Sequence, residues 1–174
     1  MRLFLGIGRH FPHVCVPKVI DKMRDDSSRS VIPGEKDALY VHLRKRKSDG
    51  VRRNINHLGE AVLGEEEALS RLDTYLDDLK DPEIEYVSVK ISTIYSQILS
   101  LAFEHTINIL KDRFSKLYST ARDNHYTRKD GTRVPKFVNL DMEEYRDLDI
   151  TAAAFTRTPD EEEFKAKAGC FSGR

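Results

Sequence analysis

Residues 136–149 read KFVNLDMEEYRDLD, a short apolar run that is followed by an acidic segment. With a period of two, the side chains of Phe137, Asn139 and Asp141 share one face of a strand. Asp141 then lies where the strand ends and a helix begins, which is where α/β enzymes place catalytic groups. Asp141 and Glu144 also have the spacing of a helix capping box, so a purely structural role for this carboxylate stays open.

Two further strands and two long helices are predicted before this stretch. The sequence at 51–58, VRRNINHL, alternates loosely between apolar and polar residues, and EYVSVKIS at 85–92 does so more regularly. Leucines spaced three and four apart predict a helix over 65–79, and a second apolar stripe predicts the longest helix over 103–121. The order strand, helix, strand, helix, strand predicts parallel strands joined by right-handed crossovers.

The remaining segments are predicted to be helices and one loop. Two helices are expected near 12–32 and 35–47, and the second ends in a basic cluster shortly before Gly50. Residues 124–135 are polar, contain an Asp-Gly turn signal and are predicted to form a loop. A last helix is expected to run from about residue 143 to residue 155.

Polar side chains follow one face of all three predicted strands. The apolar face is expected to pack against the crossover helices and comprises Val87, Val89, Ile91, Val138, Leu140 and Met142. The polar face comprises Asn54, Asn56, Ser88, Lys90, Asn139 and Asp141. In a closed barrel this face points inward, where branched apolar residues are usual, so its polarity indicates a binding site at the carboxyl ends of the strands. An open sheet with one hydrated face is the alternative.

Composition excludes several classes of function. The 29 basic and 29 acidic residues leave no net charge, so the overall field attracts neither nucleic acid nor an anionic membrane. The basic cluster at 44–47 is a weak candidate for nucleic-acid binding, because it lacks interleaved aromatic residues. Cys15 and Cys170 have no paired spacing, which argues against a disulfide framework or a metal site and suits a reducing cytoplasm. No apolar run approaches the roughly 18 to 20 residues of a membrane span.

Three segments, taken in order, carry a family resemblance. They are GEAVLGEEEA at 59–68, YVSVKISTIYSQI at 86–98 and KFVNLDMEEYRDLDIT at 136–151. Together they resemble the proline dehydrogenase domain of the bifunctional proline-utilisation flavoenzymes, over residues 3–164. The resemblance implies an α/β fold, namely a partial (β/α)8 TIM-like barrel with three parallel strands and preceding N-terminal helices. It also implies FAD as cofactor and the oxidation of L-proline to pyrroline-5-carboxylate by hydride transfer to the flavin.

The resemblance further implies roles for three residues. Lys90 matches a strand lysine beside the flavin and the substrate, where its positive charge would serve the substrate carboxylate and the reduced flavin. Asp141 matches an active-site aspartate that is expected to orient cationic neighbours. Glu60 matches a glutamate that pairs with an arginine over the bound substrate and acts as a gate. The family also implies a quinone acceptor, a cytoplasmic location and peripheral association with the inner membrane.

Length distinguishes this sequence from the family. A (β/α)8 barrel needs about 250 residues, whereas these 174 residues contain three clear strands. After residue 164 the family would be expected to enter a fourth apolar strand, but this sequence reads KAKAGCFSGR. The expected organisation is an N-terminal helical segment at 1–50, the first β/α units at 51–164 and an aberrant tail at 165–174.

These departures predict a truncated or frame-shifted gene product that is inactive alone, with a naturally short relative as the alternative. An unclosed parallel sheet exposes two strand edges, which favours self-association or pairing with another chain. The competing functional hypothesis is therefore a non-catalytic fragment or a protein-interaction module.

Overall fold

A computed structural model describes residues 12–27, 31–59, 62–142 and 144–158. The chain divides into two compact units, one up to His42 and one from Leu43 onward. Helix α1, Pro12–Ser27, lies in the first unit. Helix α2, Lys36–Ser48, contributes its last residues to the second. Both N-terminal helices were predicted from the sequence and are confirmed.

The second unit contains both strands and helices. In the described residues its further elements are β1 (Asn54–Asn56), α3 (Glu65–Lys80), β2 (Tyr86–Lys90), α4 (Ile91–Ile94), α5 (Phe103–Asp123), β3 (His125–Thr127), β4 (Arg133–Pro135), β5 (Phe137–Asp141) and α6 (Leu148–Arg157). Across the described ranges, none of the helices combines the length and the apolarity needed to cross a bilayer.

The main sheet has the order β1-β2-β5, and both pairings are parallel, as predicted. Ser88 in the central strand is in register with Asn56 on one side and with Asn139 on the other. Lys90 is in register with Asp141. The strand predicted over 51–58 is shorter in the structure, because the Val51 amide donates to a carbonyl in the last turn of α2 at 3.0 Å and so cannot join the ladder.

Helices cover the apolar face of this sheet. Helix α3 packs against β2 and α5, α5 packs against β5, and α6 packs against α5. The predicted stripe of α5 forms the centre of the core, where Ile107, Leu110, Phe114 and Leu117 are fully buried. The strands supply Val87 and Val89, also fully buried. Met142 departs from the prediction, since it is 53% exposed where the chain leaves the sheet.

The last helix begins later than predicted. Residue 144 has an extended backbone (φ −113°, ψ 124°), so this residue is not part of the last helix. A single 3-10 turn, Tyr145–Asp147, follows, and α6 begins at Leu148. The part of the connection between β5 and α6 that the structure describes therefore contains this 3-10 turn and no α-helix.

The predicted loop at 124–135 is a β-hairpin, with β3 and β4 antiparallel. The Asp-Gly turn signal was correct, because Gly131 has a positive φ of 84° and Asp130 Oδ1 accepts a hydrogen bond from the Thr132 amide at 2.9 Å. The two strands were missed because each has only three residues, too few to show an alternating pattern. Tyr126, in the middle of β3, is buried.

A buried carboxylate lies at the amino end of the central strand. Glu85 is 4% exposed, and its Oε1 accepts hydrogen bonds from Arg128 Nη2 at 2.8 Å and Nε at 3.1 Å. Arg52 Nε lies 3.2 Å from the same oxygen. This cluster, Glu85 with Arg52 and Arg128, joins the hairpin and the segment before β1 to the start of β2.

The burial of α5 makes a direct stability prediction. We expect Leu110→Ala, at a fully buried position, to lower the free energy of unfolding by about 2–5 kcal/mol through lost burial and a residual cavity. Leu101→Ala, at a fully exposed position, is the matched control and should change it by less than about 0.5 kcal/mol. Urea denaturation followed by circular dichroism measures both, and equal losses would contradict the packing described above.

Candidate active site

The polar face of the sheet is a connected row of side chains. The Ser88 hydroxyl, on the central strand, accepts hydrogen bonds from Asn54 Nδ2 at 2.7 Å and from Asn139 Nδ2 at 3.2 Å. Ser88 is 2% exposed. The three strands are thus joined through side chains as well as through their backbones, on the face that the alternation pattern predicted to be polar.

Lys90 and Asp141 are brought together at the carboxyl ends of their strands. They are register partners on neighbouring strands, and Lys90 is 7% exposed. Asp141 Oδ2 accepts a hydrogen bond from Asn56 Nδ2 at 3.2 Å. Asp141 belongs to β5, and neither the 3-10 turn nor α6 has a side-chain cap. The capping-box interpretation of Asp141 is therefore wrong.

Lys90 and Asp141 line one depression at this end of the sheet. Its other lining residues come from the segments that follow β2 and β5, and they are Ile91, Ser92, Met142, Glu144, Asp147 and Thr151. A shared concave surface at the carboxyl ends of parallel strands is the usual place for a ligand site in this class of fold.

Glu144 and Asp147 were not predicted as part of the site. Burial raises the pKa of the Asp147 carboxyl, an effect that Arg146 opposes and Glu144 reinforces. Arg146 Nε lies 2.6 Å from Glu144 Oε2 and 3.7 Å from Asp147 Oδ1. The only sequence signal for these acids was their place in the segment directly after the third strand, which by itself fits many solvated loops.

Glu60 lies outside the described residues, so its predicted role as a gate stays a prediction. The structure does describe the chain on either side of it. A Cβ atom added to Gly59 would clash with Arg71 Nη1, so a guanidinium of α3 lies directly against this glycine. On the other side, the Val62 amide donates to the Ser92 carbonyl at 3.3 Å. The connection after β1 thereby contacts the connection after β2.

A buried arginine of α5 lies beneath these two connections. Arg113 is 6% exposed and donates through Nη1 to the Ile94 carbonyl and through Nη2 to Glu65 Oε1. Ser96 Oγ donates to the other Glu65 oxygen at 2.9 Å. Burial raises the pKa of Glu65, but the hydrogen bonds from Arg113 and Ser96 and the arginine charge outweigh it, so the pKa is lowered overall. We call Arg113, Glu65 and Ser96 the Arg113 junction.

The sequence and the fold are similar to those of known proteins. A family model described as proline dehydrogenase matches residues 40–172. The chain belongs to the proline dehydrogenase family. No protein of curated function matches the sequence.

Two solved structures show the same relationship. Proline Utilization A from Corynebacterium freiburgense is 36% identical and has a TM-score of 0.69, and the match covers 85% of this chain and 15% of that one. Proline utilization A from Bdellovibrio bacteriovorus, in a structure described as inactivated by N-propargylglycine, is 30% identical with a TM-score of 0.56. That match covers 74% of this chain and 14% of that one. The chain thus spans about one seventh of each relative, and the similarity confirms the predicted family and fold.

Removing the hydroxyl of Ser88 tests whether its hydrogen bonds with Asn54 and Asn139 stabilise the fold. Ser88→Ala removes the hydroxyl that accepts hydrogen bonds from the exposed Asn54 and the half-buried Asn139, so we expect the free energy of unfolding to fall by about 0.5–1.5 kcal/mol. Ser119→Ala is the matched control, because that hydroxyl bonds only to carbonyls of its own helix in the described structure and its loss should cost less than about 0.5 kcal/mol. Urea denaturation measures the stability of both variants. A Ser88→Ala variant as stable as the control would show that these hydrogen bonds do not stabilise the fold.

The lowered pKa of Glu65 predicts a pH dependence of stability. A carboxyl whose pKa is lower in the folded than in the unfolded state stabilises the fold above the unfolded pKa, here about 4.5. That contribution is lost as the pH falls through the lower folded value. We therefore expect the stability difference between wild type and Glu65→Gln to be constant above about pH 5.5 and to shrink below about pH 4.5. Denaturation series at several pH values measure this, and a difference that grows on acidification would contradict it.

Proposed function

We propose that this protein contributes to an FAD-dependent proline dehydrogenase, which oxidises L-proline to pyrroline-5-carboxylate. The observation that carries the proposal is the juxtaposition of Lys90 and Asp141 at adjacent strand ends, in a chain that belongs to the proline dehydrogenase family. Both residues line the same depression. A cation and a carboxylate at one edge of a parallel sheet complement a substrate that carries both an ammonium and a carboxylate group.

The residues present suit a flavin beside this edge. Lys90 is nearly buried, so its charge would act in a medium less polar than water. On the same face of the sheet, Ser88 is hydrogen-bonded to Asn54 and Asn139. Lys90 is the cationic residue at the carboxyl end of β2. When bound, FAD would accept the hydride that the substrate loses. Among the residues that the structure describes, Lys90 is the one that would contact the bound FAD.

Each proposed residue has a distinct electrostatic task. Lys90 would balance negative charge on the substrate carboxylate and on the reduced cofactor, through a fixed ammonium that needs no reorganisation during the reaction. Asp141, held by Asn56 at 3.2 Å, would orient cationic groups by charge-assisted hydrogen bonds. Glu60 would close over the bound substrate, as the family resemblance implies.

The proposal also covers the electron acceptor and the cellular location of the reaction. The family implies a quinone as the final electron acceptor, a cytoplasmic location and peripheral contact with the inner membrane. It also includes inactivity of the 174 residues by themselves. Support for inactivity comes from the described sheet, in which β1 and β5 each pair with β2 alone and the barrel is not closed.

The proposed roles are tested by transplanting residues 43–158 into the matching segment of an active proline dehydrogenase. We expect Lys90→Met in this chimera to slow proline-dependent flavin reduction by about 100-fold or more, because fixed charge is lost at the site. Asp141→Asn should slow it as well. The control is Lys80→Met, which removes an exposed lysine paired with Asp77 at 3.1 Å, and it should match the parent. A Lys90→Met chimera as fast as the control would overturn the assignment.

The isolated chain is tested by its absorbance spectrum. The purified protein is incubated with FAD, separated from free flavin and scanned before and after addition of L-proline. We expect no flavin band that L-proline bleaches. A bleached band would show that these residues form a working site and would overturn the proposed inactivity.

Exposed sheet edges favour a second candidate, a protein-interaction module. In the described structure the outer edges of β1 and β5 carry no strand partner, and such edges are templates for pairing with another chain. This candidate predicts self-association at low micromolar concentration in sedimentation experiments, unchanged by Lys90→Ala. A monomer at all concentrations tested would count against self-pairing.

A further inference from the structure

Residue Lys90 is followed immediately by a single turn of helix, α4. The carbonyl of Ile91, the first residue of α4, accepts a hydrogen bond from the Tyr95 amide at 3.0 Å. Thr93 Oγ1 donates a hydrogen bond to the Lys90 carbonyl at 2.8 Å. The Tyr75 hydroxyl lies 3.3 Å from Thr93 Oγ1. One turn of helix has no intrinsic stability in water. The position of α4, and of the lysine that precedes it, therefore depends on contacts from other elements.

Arg113 supplies such contacts from α5. Its Nη1 donates to the carbonyl of Ile94, the last residue of α4, and its guanidinium lies 5.0 Å from the ring centroid of Tyr95. A planar guanidinium can hold a carbonyl, a carboxylate and a ring face at once, which a lysine ammonium cannot do. Arg113 thus holds the far end of α4, while Thr93 holds the end next to Lys90.

The other guanidinium nitrogen extends the same junction to the connection after β1. Nη2 of Arg113 donates to Glu65, the first residue of α3, and Ser96 donates to the second carboxylate oxygen of Glu65. The backbone bond from Val62 to Ser92 joins the two connections a second time. One buried side chain therefore fixes both segments that flank the Lys90 end of the sheet.

We infer that Arg113 is a positioning residue for Lys90. It acts through the Ile94 carbonyl and Glu65 to hold the turn after β2 and the connection after β1 in one arrangement. The relevance of this inference to catalysis rests on the proposed function. The positioning itself is a property of the chain without any ligand.

The test is the rate at which each lysine of the full chain reacts with sulfosuccinimidyl acetate, followed by peptide mass spectrometry. Lys90 and Lys136 are both nearly buried, at 7% and 5% exposure. Lys136 donates to the Asp81 carbonyl at the opposite end of the sheet, away from the junction. Its labelling therefore reports general loosening of the fold.

We expect Arg113→Met to raise the labelling rate of Lys90 by about fivefold or more, through local opening of the turn, and to leave that of Lys136 within about twofold. The control is Arg157→Met, which removes an exposed arginine of α6 paired with Glu104 at 2.7 Å, and it should change neither rate. Unchanged labelling of Lys90, or equal increases at both lysines, would overturn the inference.

Loss of a buried arginine can unfold the chain, so a milder variant accompanies it. Glu65→Gln keeps the side-chain shape at a position that is 43% exposed and removes the charge that Arg113 contacts. It should also raise labelling of Lys90 selectively, by a smaller factor, and equal labelling of Lys90 in this variant and in wild type would contradict the inference. Neither measurement uses flavin or proline. A failure of the proposed function, seen in the chimera, is thus separate from a failure of this inference.

Discussion

The central strand is buried on both faces, and the rest of the second unit depends on how this constraint is met. On one face, Val87 and Val89 meet the helices without any polar group to satisfy. On the other face, Ser88 and Lys90 are polar and still almost completely buried. Burying a hydroxyl is inexpensive only when it is hydrogen-bonded, and the amides of Asn54 and Asn139 provide those bonds. Burying an ammonium is costlier, and proteins keep such groups mainly where the charge has a use.

The sequence predicted the features that depend on local periodicity. Strict alternation in β2 identified its two faces, and the stripe on α5 identified four of its fully buried core residues. Lys90 and Asp141 were predicted to belong to one site because parallel strands end at a common edge, and the structure pairs them in register. Their roles came from family resemblance, since alternation alone cannot distinguish a catalytic lysine from a surface one.

Features that depend on long-range contacts were not predictable in this way. Arg113 lies on the predicted α5 but contacts Glu65, 48 positions earlier, and no periodicity links them. The sequence predicted only that residue 65 begins a helix. The hairpin was missed for a different reason: β3 and β4 have three residues each, too few for alternation to distinguish a strand from a loop. The late start of α6 follows from the extended backbone at residue 144, which no periodicity in the sequence signals.

The open edges of the sheet follow from the same central position of β2. In the described residues, β1 and β5 each have one strand neighbour, so every backbone bond of the sheet involves β2. A sheet that depends on one strand is sensitive to changes in that strand. The short β1 illustrates this, because its three residues pair only with the first three of β2.

The cluster of Glu85 with Arg52 and Arg128 stabilises the end of β2 that is remote from Lys90. It lies at the amino end of the strand, whereas Lys90 occupies the carboxyl end. Because two arginines share one carboxylate, losing either leaves the other to neutralise it, so this end tolerates single substitutions better than a simple pair would. The two ends of β2, a strand five residues long, are thus held by separate groups of side chains.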